Sequence, residues 1–429
     1  MRDLVRLLCA VILAALLALP VFAAGQGQQA AATGQVNINY AFWGNPDAIG
    51  VEQDIIDAYH QRQDQVRITP VVSGYSDYHA MLLTQLAAGA GPDVMRVDSY
   101  YFQDFISLNA LRRLDDLVAR DNIDLSVYYP QGIVENSFDG RLYGLPWGTS
   151  ALYMFINLPM FEAAGIPVPD FTWTLDDFER IARELTRDGQ YGFSQSFVGL
   201  NGILPFVWAE GGDLFDESRQ RFTLTEPEAI RGLERYARLY RDRIMPEDSI
   251  TAGVDAPTRW FVNNQIAMRM GAASDILSTQ AVEGVRFEVI NMPTGPGSER
   301  STIYKSNTIG INNRTANVES AWDFVLFLRG PSGEGEELYM RARRIPPTID
   351  DQRYWALYAD PNRYPRQVEA NSKIIAERYG RLLPLRAGWL EIESLVMPEV
   401  QGVVSGAISA QAAMDRIAPA VQQVMDRTR

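Results

Sequence analysis

Aromatic and polar side chains follow two of the predicted strands of this chain. Residues 36–42 alternate between apolar and polar types, as a half-buried strand does, and run into Trp43 and Asn45. Residues 92–97 form a further apolar strand pattern, and Asp98 follows it. Ligands of open α/β sheets bind beyond the carboxyl ends of the strands, so these three side chains are candidates for ligand contact. Their chemistry is that of binding, because an indole stacks on apolar faces and a carboxylate accepts hydrogen bonds.

Each candidate also has a purely structural interpretation. Trp43 could plug the edge of the domain, and Asp98 could be the N-cap of a helix that begins near Tyr100. Tyr100 is followed by Tyr101 and Phe102. We expect two of these three aromatic residues to lie in the core, and we take Tyr100 as the candidate for the ligand site.

The elements that would position these residues alternate along the first part of the chain. Helical patterns at 51–59 and 78–86 separate the strand patterns at 36–42, 66–72 and 92–97. This order is typical of a parallel sheet that is covered by helices on both faces. The predicted fold class is therefore α/β.

The middle of the chain contains an extended segment, a buried strand and a helix. The segment 142–147 should end its strand at Pro146, because proline removes a donor from the ladder. Residues 151–156 are apolar and too few for an independent helix, which favours a buried strand. Thr174 and Asp177 have the spacing of a capping box, which predicts the start of a helix.

Length and composition predict an exported protein with two lobes. The chain has 429 residues, which is long for a single core. Residues 1–24 combine a basic start, an apolar run and a small-residue cleavage site, as in a signal peptide. Residues 25–35 are rich in Ala, Gln and Gly and are predicted to be a flexible leader. Cys9 is the only cysteine, so the exported chain would have no thiol and no disulfide. A lipoprotein attachment at Cys9 is the alternative, although almost no apolar region precedes it.

Charge and motif content exclude several classes of protein. The formal net charge of −14 at pH 7 argues against nucleic-acid binding. The chain has two histidines and none of the patterns G-x-S-x-G, H-E-x-x-H, Walker loop or G-x-G-x-x-G. We predict no metal site and no cofactor, although a low number of histidines does not exclude an iron ligand, which tyrosines can bind. A glycosidase needs only a pair of carboxylates, so that class of enzyme stays open.

One stretch in the middle of the chain carries a family resemblance. Its residues are Asp139-Gly140, Tyr143-Gly144-Leu145-Pro146, Asn157, Phe161, Ala164-Gly165-Ile166 and Thr172-Trp173. In this order and spacing they resemble the hallmark of the extracellular solute-binding proteins (family 1). These are the sugar-binding, maltose-binding-protein-like components of ATP-binding-cassette importers. The resemblance extends over residues 36–427 and is strongest at 140–186.

The resemblance implies a two-lobed periplasmic-binding-protein fold of type II. Each lobe would be a mainly parallel sheet flanked by helices, and a hinge of several segments would join the lobes. The N-terminal lobe would comprise residues 36–145 plus 298–352, and the C-terminal lobe residues 146–297 plus 353–429. Trp147 would follow the first crossing and face a ligand near the hinge, with burial in the core as the alternative.

The same resemblance adds site candidates in the second half of the chain. Trp208 would offer an aromatic face, and Glu210 would accept hydrogen bonds, although Glu210 could equally be solvated. Gly271 and Ser274 bound a stretch where the family often carries Gly-Pro-Trp. The absence of that tryptophan removes a second stacking platform from this position.

Two further candidates lie near the return of the chain to the hinge. Residues 304–307 stand where the family usually has a pair of glycines, so side chains would replace bare backbone and alter specificity, and Tyr304 is the candidate for ligand contact. Arg344 belongs to a loop, residues 341–347, that approaches the cleft in the family. Three arginines in this loop also fit a solvated face, which is the alternative interpretation.

The resemblance implies a function in solute uptake. The protein would capture a mono- or oligosaccharide between two closing lobes and deliver it to the membrane permease subunits of an ATP-binding-cassette importer. It would be a monomer in the periplasm or outside the cell, and not an enzyme. A secreted carbohydrate-active hydrolase is one alternative, and the same fold with a glycerol phosphate or a polyamine is another. A phosphate would require arginines in the cleft, and an amine would require acids without matching cations.

Overall fold

The computed structural model describes residues 34–44, 46–187, 189–195, 199–246, 256–342 and 346–428. The predicted signal peptide and most of the predicted leader lie outside these residues. Among the residues described, no helix is both long enough and apolar enough to cross a membrane.

The described ranges contain eleven strands and seventeen α-helices, together with a 3-10 helix at Leu125–Val127 and a π-helix at Ile375–Tyr379. The strands are β1 (Val36–Trp43), β2 (Val66–Ser73), β3 (Val94–Val97), β4 (Ser137–Phe138), β5 (Arg141–Leu142), β6 (Gly144–Asn157), β7 (Tyr191–Gln195), β8 (Ile266–Ala272), β9 (Phe287–Ile290), β10 (Thr302–Ile311) and β11 (Gly380–Leu382). The helices are α1 (Pro46–Arg62), α2 (Tyr75–Ala87), α3 (Ser99–Ser107), α4 (Asp115–Arg120), α5 (Pro130–Glu135), α6 (Leu158–Ala164), α7 (Leu175–Glu184), α8 (Leu200–Ala209), α9 (Pro227–Arg241), α10 (Ala256–Val262), α11 (Ser274–Gln280), α12 (Val318–Arg329), α13 (Glu334–Arg341), α14 (Gln352–Tyr358), α15 (Val368–Ile374), α16 (Trp389–Val404) and α17 (Ala410–Arg427).

Nine of the strands form one mixed sheet. Their order is β2-β1-β3-β10-β6-β8-β7, with β11 beside β10 and β9 beside β6. β1 runs parallel to β2 and β3, and β7 runs parallel to β8. β10 is antiparallel to β3 and β6, and β6 is antiparallel to β8 and β9. The predicted parallel character therefore holds in the outer parts of the sheet and not at its centre. The reason is that β6 and β10 carry the chain between the lobes in opposite directions.

Strand β6 runs through Pro146, so the prediction that the strand ends at this proline is wrong. Pro146 pairs with Thr308, and Gly148 pairs with Asn307, which leaves Trp147 as the extra residue of a β-bulge. A bulge leaves one residue unpaired and bends its strand, so it can re-aim a side chain. Pro146 therefore marks a β-bulge and not the end of the strand, and the bulge takes Trp147 out of the alternation of side chains between the two faces of β6.

The two faces of β6 belong to different hydrophobic cores. Leu152 and Met154 pack into a core with helices α7, α8, α16 and α17. Tyr153 and Phe155 point to the other face, into a core that includes residues of β1 and α12. This alternation is that of a strand buried on both sides, so the strand predicted at 151–156 is confirmed. The predicted two-lobed α/β fold is confirmed as well.

Helix α7 begins at the predicted capping box. The Thr174 hydroxyl accepts the backbone N–H of Asp177 at 3.2 Å, and the Asp177 carboxylate accepts the backbone N–H of Thr174 at 3.1 Å. Two of the N–H groups that a helix start leaves unpaired are thus satisfied.

Contacts with the N-terminal lobe continue beyond residue 352. In helix α14, the indole of Trp355 donates its N–H to the hydroxyl of Tyr129 at 3.1 Å. The boundaries of the lobes at 145/146, 297/298 and 352/353 stay a prediction.

Candidate functional site

A cavity of about 530 Å³ lies between the lobes, at the carboxyl ends of β1 and β3. Ligand pockets commonly have volumes of about 300–1,000 Å³ and are rich in aromatic side chains. Five aromatic residues line this cavity, namely Trp43, Tyr75, Tyr100, Trp147 and Tyr339. Polar residues from both lobes complete the lining, including Asp98, Thr149, Asn201, Ser274, Lys305 and Asn307.

Asp98 fills both of the roles considered for it. Its carboxylate accepts the backbone N–H of Tyr100 at 3.2 Å and so caps helix α3. The same carboxylate lines the cavity and lies 3.5 Å from the Nζ of Lys305. A helix cap uses one or two lone pairs of a carboxylate, so an acceptor remains for a second partner.

Lys305 contributes a positive charge to the lining of the cavity. Its Nζ lies 4.7 Å from the centroid of the Tyr100 ring, within the range of a cation–π contact. Burial lowers the pKa of Lys305, but the neighbouring charge of Asp98, with Tyr100 and Glu135, outweighs it and leaves the pKa raised. Lys305 is therefore charged at neutral pH, and its charge is matched by that of Asp98.

His79 holds the backbone of Asp98 in place through a hydrogen bond. Its Nε2 accepts the backbone N–H of Asp98 at 3.2 Å, and its ring stacks on Tyr101 with centroids 3.8 Å apart. Burial lowers the pKa of His79 to about 4, which keeps the imidazole neutral and able to accept this hydrogen bond.

A second buried cation holds the two indoles of the cavity. The guanidinium carbon of Arg96 lies 3.8 Å from the ring centroid of Trp43 and 4.2 Å from that of Trp147. Arg96 is 2% exposed and pairs with Glu52, with 3.2 Å between Nη1 and Oε1. Arg96 also donates to the backbone carbonyl of Trp43. Each indole thus gives part of its surface to Arg96, and the cation fixes the orientation of both rings.

Tyr75 offers the most accessible aromatic surface of the lining. It is 47% exposed, at the start of helix α2. Its ring meets those of Trp43 and His79 only in T-shaped geometry, at 65° and 78°. Within the described part of the chain, no ring or cation is stacked on it.

The structure brings five of the predicted site residues together. Trp43, Asp98, Tyr100, Trp147 and Ser274 all line the cavity. Gly271 is close by in strand β8 but buried, and a Cβ there would lie 2.7 Å from Oδ2 of Asp275. Its role is close packing of the backbone, and the exposed surface belongs to its neighbours Ala272 and Ser274.

Trp208 and Glu210 lie away from the cavity. Trp208 is 0% exposed in helix α8, and its indole donates to Asp213 at 2.8 Å. Apart from Asn201, the residues of helix α8 are buried, and the ring of Trp208 lies 4.6 Å from the guanidinium carbon of Arg381 and borders a separate cavity. Glu210 is also buried, and its carboxylate is held by Arg231 and Arg235. We therefore remove both residues from the candidate site.

Tyr304 lies on the opposite face of β10 from the cavity. The side chains of a strand alternate, and Lys305 and Asn307 face the cavity while Tyr304 packs into the core at 4% exposure. Tyr304 thus belongs to a strand that lines the cavity, but its side chain lies on the face away from it. The other two predicted residues, Asn45 and Arg344, lie outside the described residues.

Reasoning from the sequence missed several residues of the lining. They include Glu52, Tyr75, Arg96, Thr149, Asn201, Lys305, Asn307 and Tyr339. Lys305 and Asn307 could have been found from the period of two in β10, had the register been known. Arg96 gave no signal, because an arginine inside a short apolar strand pattern is not expected to be buried.

Two other cavities of comparable volume do not fit a ligand site as well. One, of about 540 Å³, is lined by Trp208 and Phe215 together with several charged residues, some of which pair with each other, such as Arg221 with Glu226. The other, of about 740 Å³, lies beside helix α3. Neither combines strand ends with the set of aromatic residues found between the lobes. The described residues also contain no group of three or more side chains that could hold a metal ion.

The buried carboxyl group of Glu135 makes the stability of the folded protein depend on pH. Glu135 is the last residue of helix α5, and its carboxylate accepts the backbone N–H of Ser306 while its Oε1 is buried without a partner. Burial raises the pKa of Glu135 from 4.5 to about 8. Between these values the folded chain keeps a proton that the unfolded chain has lost, so the free energy of unfolding decreases as pH rises.

We therefore expect Glu135→Gln, which is neutral at every pH, to stabilise the protein at pH 8 and not at pH 4.5. Melting temperatures of the variant and the wild type across this range check the expectation. Glu184→Gln, at an exposed carboxylate of α7, is the control and should follow the wild type. Parallel pH profiles for Glu135→Gln and wild type would contradict the raised pKa.

Comparison with known proteins agrees with the fold. The sequence model described as "Bacterial extracellular solute-binding protein" matches residues 25–335, more than half of the chain. An uncharacterized lipoprotein in the oleD 5′ region of Streptomyces antibioticus is 24% identical over 330 residues, covering 74% of this chain and 72% of that protein.

Solved structures of binding proteins superpose over nearly the whole chain. An ABC substrate-binding protein of Listeria monocytogenes, in complex with cycloalternan, has a TM-score of 0.81 at 20% identity and covers 91% of this chain and 99% of its own. The GacH receptor of Streptomyces glaucescens, solved unliganded and with acarbose, has a TM-score of 0.77 at 19% identity and covers 92% and 100%. At these identities the structural likeness is one of fold, while the sequence model fixes the family. The chain belongs to the bacterial extracellular solute-binding proteins.

Proposed function

We propose that this protein captures an uncharged carbohydrate in the cavity between its lobes and delivers it to the membrane subunits of an ATP-binding-cassette importer. One observation carries the choice of ligand. The charged residues of the described lining pair with each other, Arg96 with Glu52 and Lys305 with Asp98. What remains for a ligand is aromatic surface and neutral hydrogen-bonding groups.

The charge balance argues against the two charged alternatives. A glycerol phosphate needs cations that its oxygens can approach, whereas Arg96 is buried behind two indoles and Lys305 is engaged with Asp98. A polyamine needs carboxylates without cations of their own, and neither Glu52 nor Asp98 is of that kind. Binding either solute would leave one member of an existing pair without its partner, which is costly in a buried site.

The remaining surface suits a sugar. The C–H face of a pyranose is apolar and stacks on an aromatic ring, and Tyr75 offers such a ring at 47% exposure. Hydroxyl groups both donate and accept, and the lining provides neutral partners in Thr149, Asn201, Ser274 and Asn307. The complexes of similar structures with cycloalternan and acarbose support the same class of ligand.

The lining does not favour the hydrolase alternative. A glycosidase needs one carboxyl group free to give its proton to the leaving oxygen and a second carboxylate opposite it. Only Glu52 and Asp98 bring carboxylates to the described lining, and both are engaged in ion pairs. The family and the similar structures are binding proteins, so we propose capture without turnover.

Capture would proceed by closure of the lobes about β6 and β10. A ligand that contacts residues of both lobes binds the closed form more tightly than the open form and shifts the population to it. The closed monomer would then dock on the permease subunits, outside the cytoplasmic membrane, where a protein of this family is expected to act. The predicted signal peptide, residues 1–24, would direct the export.

A melting screen of the chain from residue 25 onward tests the proposal. We expect a saturable rise in melting temperature with one class of neutral mono- or oligosaccharide, and no conversion of that sugar on prolonged incubation. Glycerol phosphates and polyamines should cause no rise. A rise only with a charged solute would overturn the choice of ligand, and hydrolysis of the sugar would overturn the choice of binding over catalysis.

A further inference from the structure

Three helices from both lobes meet at one edge of the cavity and form a closed ring of contacts. Helix α3 belongs to the N-terminal lobe, where Phe102 and Phe105 pack with residues of β1 and β3. Helices α8 and α16 belong to the core of the C-terminal lobe. We propose that this ring, defined by Tyr100, Asp104, Asn201 and Glu393, is an inter-lobe latch that sets how far the cleft is closed before a ligand arrives.

The first contact of the latch joins the lobes directly. The Oδ1 of Asp104 in α3 accepts the backbone N–H of Gly388 at 3.3 Å. Gly388 is the N-cap of α16 and has a φ of 78°, a conformation that a residue with a side chain rarely adopts. The start of a helix leaves its N–H groups unpaired, so a carboxylate from the other lobe is a well-matched partner.

The second contact joins the two helices of the C-terminal lobe in the same manner. The Oε1 of Glu393 in α16 accepts the backbone N–H of Leu200 at 2.8 Å, at the start of α8. Gly199 makes room for this carboxylate, since a Cβ there would lie 2.2 Å from the same oxygen. Burial raises the pKa of Asp104 and of Glu393, which reflects how far both carboxyl groups are withdrawn from water.

The third contact returns to the N-terminal lobe and closes the ring. The side-chain amide of Asn201 in α8 donates to the hydroxyl of Tyr100 in α3. The ring of Tyr100 also lies over that of Trp389, the first residue of α16, with centroids 6.3 Å apart and planes inclined by 17°. Tyr100 thus touches both helices of the other lobe and packs against the core of that lobe.

The latch is connected to the ligand site through two of its members. Tyr100 and Asn201 line the cavity, whereas Asp104 and Glu393 do not. Tyr100 and Asp104 are four residues apart in α3, so they lie on the same face of the helix and move together. A ligand that holds Tyr100 against Asn201 therefore favours the hydrogen bond between Asp104 and Gly388. That hydrogen bond in turn keeps Tyr100 in position to contact the ligand. Asp104 is thus a positioning residue, because it acts on binding without touching the cavity.

The effect on affinity follows from the population of the closed form. If the closed form is the one that binds, the apparent dissociation constant is the intrinsic one divided by the closed fraction. A hydrogen bond to a charged group contributes enough that its loss would lower the ratio of closed to open form by about tenfold, and the closed fraction by at most that factor. Every ligand of the cleft should lose affinity by the same factor, since the ligand contacts themselves are unchanged.

Distances between the lobes test the latch without a ligand. Asp54→Cys in α1 and Gln423→Cys in α17 place spin labels at exposed positions, one on each lobe. The sequence has no other cysteine beyond Cys9, which lies in the predicted signal peptide and is absent from a chain that begins at residue 25. Electron–electron double resonance then gives the distribution of distances in the ligand-free protein.

We expect Asp104→Ala to change this distribution, because loss of the contact with Gly388 lowers the population of the closed form. Asp104→Asn should lie between Asp104→Ala and wild type, because its amide oxygen can still accept from Gly388. Asp116→Ala is the matched control, since Asp116 is an exposed aspartate of the N-terminal lobe that pairs with Arg112 of the same lobe. Distributions equal to wild type for both Asp104 variants would overturn the latch. If Asp104→Ala does not fold, the comparison of Asp104→Asn with Asp116→Ala decides.

The affinity part of the inference rests on the proposed function, but the ligand-free distances do not. With a sugar found by the melting screen, Asp104→Ala should bind it more weakly than wild type, by a factor of up to about ten that equals the loss of closed fraction. Altered distances in a protein that binds no sugar would sustain the latch and refute carbohydrate capture. Normal sugar binding with unaltered distances would refute the latch alone.

Discussion

Replacement of Tyr75 by alanine is expected to weaken carbohydrate binding by about 30-fold, or about 2 kcal/mol, the usual cost of removing an aromatic anchor. Tyr75 is 47% exposed and lines the cavity, so its ring is free to stack on a sugar. The two indoles of the lining, those of Trp43 and Trp147, already give part of their surface to Arg96. Because Tyr75 is half exposed, the variant should keep the melting temperature of the ligand-free wild type.

Titration calorimetry of two variants distinguishes the stacking face from the hydroxyl. Tyr75→Phe keeps the ring and should bind within a few-fold of wild type, on the order of the loss of one hydrogen bond at most. Leu108→Ala, at another exposed apolar side chain, controls for unspecific effects of surface truncation. Wild-type affinity in Tyr75→Ala would show that the sugar stacks elsewhere, and equal losses in the alanine and phenylalanine variants would assign the effect to the hydroxyl.

Replacement of Glu336 by alanine is expected to destabilise the protein by about 3–5 kcal/mol, the cost of breaking a buried ion pair. Glu336 pairs with Arg329, and both side chains are 0% exposed. The Oε1 of Glu336 also accepts the backbone N–H and the hydroxyl of Thr348, each at 2.9 Å. Without this carboxylate, the buried guanidinium of Arg329 would keep the rings of Tyr339 and Trp147, at 3.8 and 5.3 Å, but no counter-ion within ion-pair distance among the residues described.

The neighbouring residue provides a control for this prediction. Glu337 pairs with Arg341 in the same helix, but both side chains are about half exposed to water. Exposed pairs contribute about 0–1 kcal/mol, so Glu337→Ala should unfold at nearly the denaturant concentration of wild type. Denaturant titrations of both variants make the comparison. Equal, small losses in both would mean that the Glu336 pair is not sealed from water.

Most of the fold could be predicted because its signals are local. The alternation in β1, the capping box at Thr174 and the apolar run of β6 are all decided by residues within a few positions of each other. The error at Pro146 has a long-range origin. The proline is accommodated because a residue 162 positions away, Thr308, pairs with it next to a bulge. No local pattern contains that information.

The site was less predictable because it depends on which face of a strand or helix meets the cavity. Tyr304 and Lys305 are adjacent in the sequence and point to opposite sides of β10, and a shift by one residue would exchange them. Trp208 was assigned to the site by its position in a motif, but only Asn201 of its helix faces the cavity, and Trp208 is buried on another side of the helix. Arg96 became part of the site only through Trp43, Trp147 and Glu52, which come from three separate segments.

Binding of matched neutral and charged sugars is the measurement that tests the central claim most directly. The sugar found in the melting screen and its phosphorylated form would each be titrated into the chain from residue 25 onward. Because the cations and carboxylates of the described lining are already paired, we predict saturable heat with the neutral sugar and none with the phosphorylated one. Tighter binding of the phosphorylated sugar, or of a polyamine, would contradict the proposal that this cleft captures an uncharged carbohydrate.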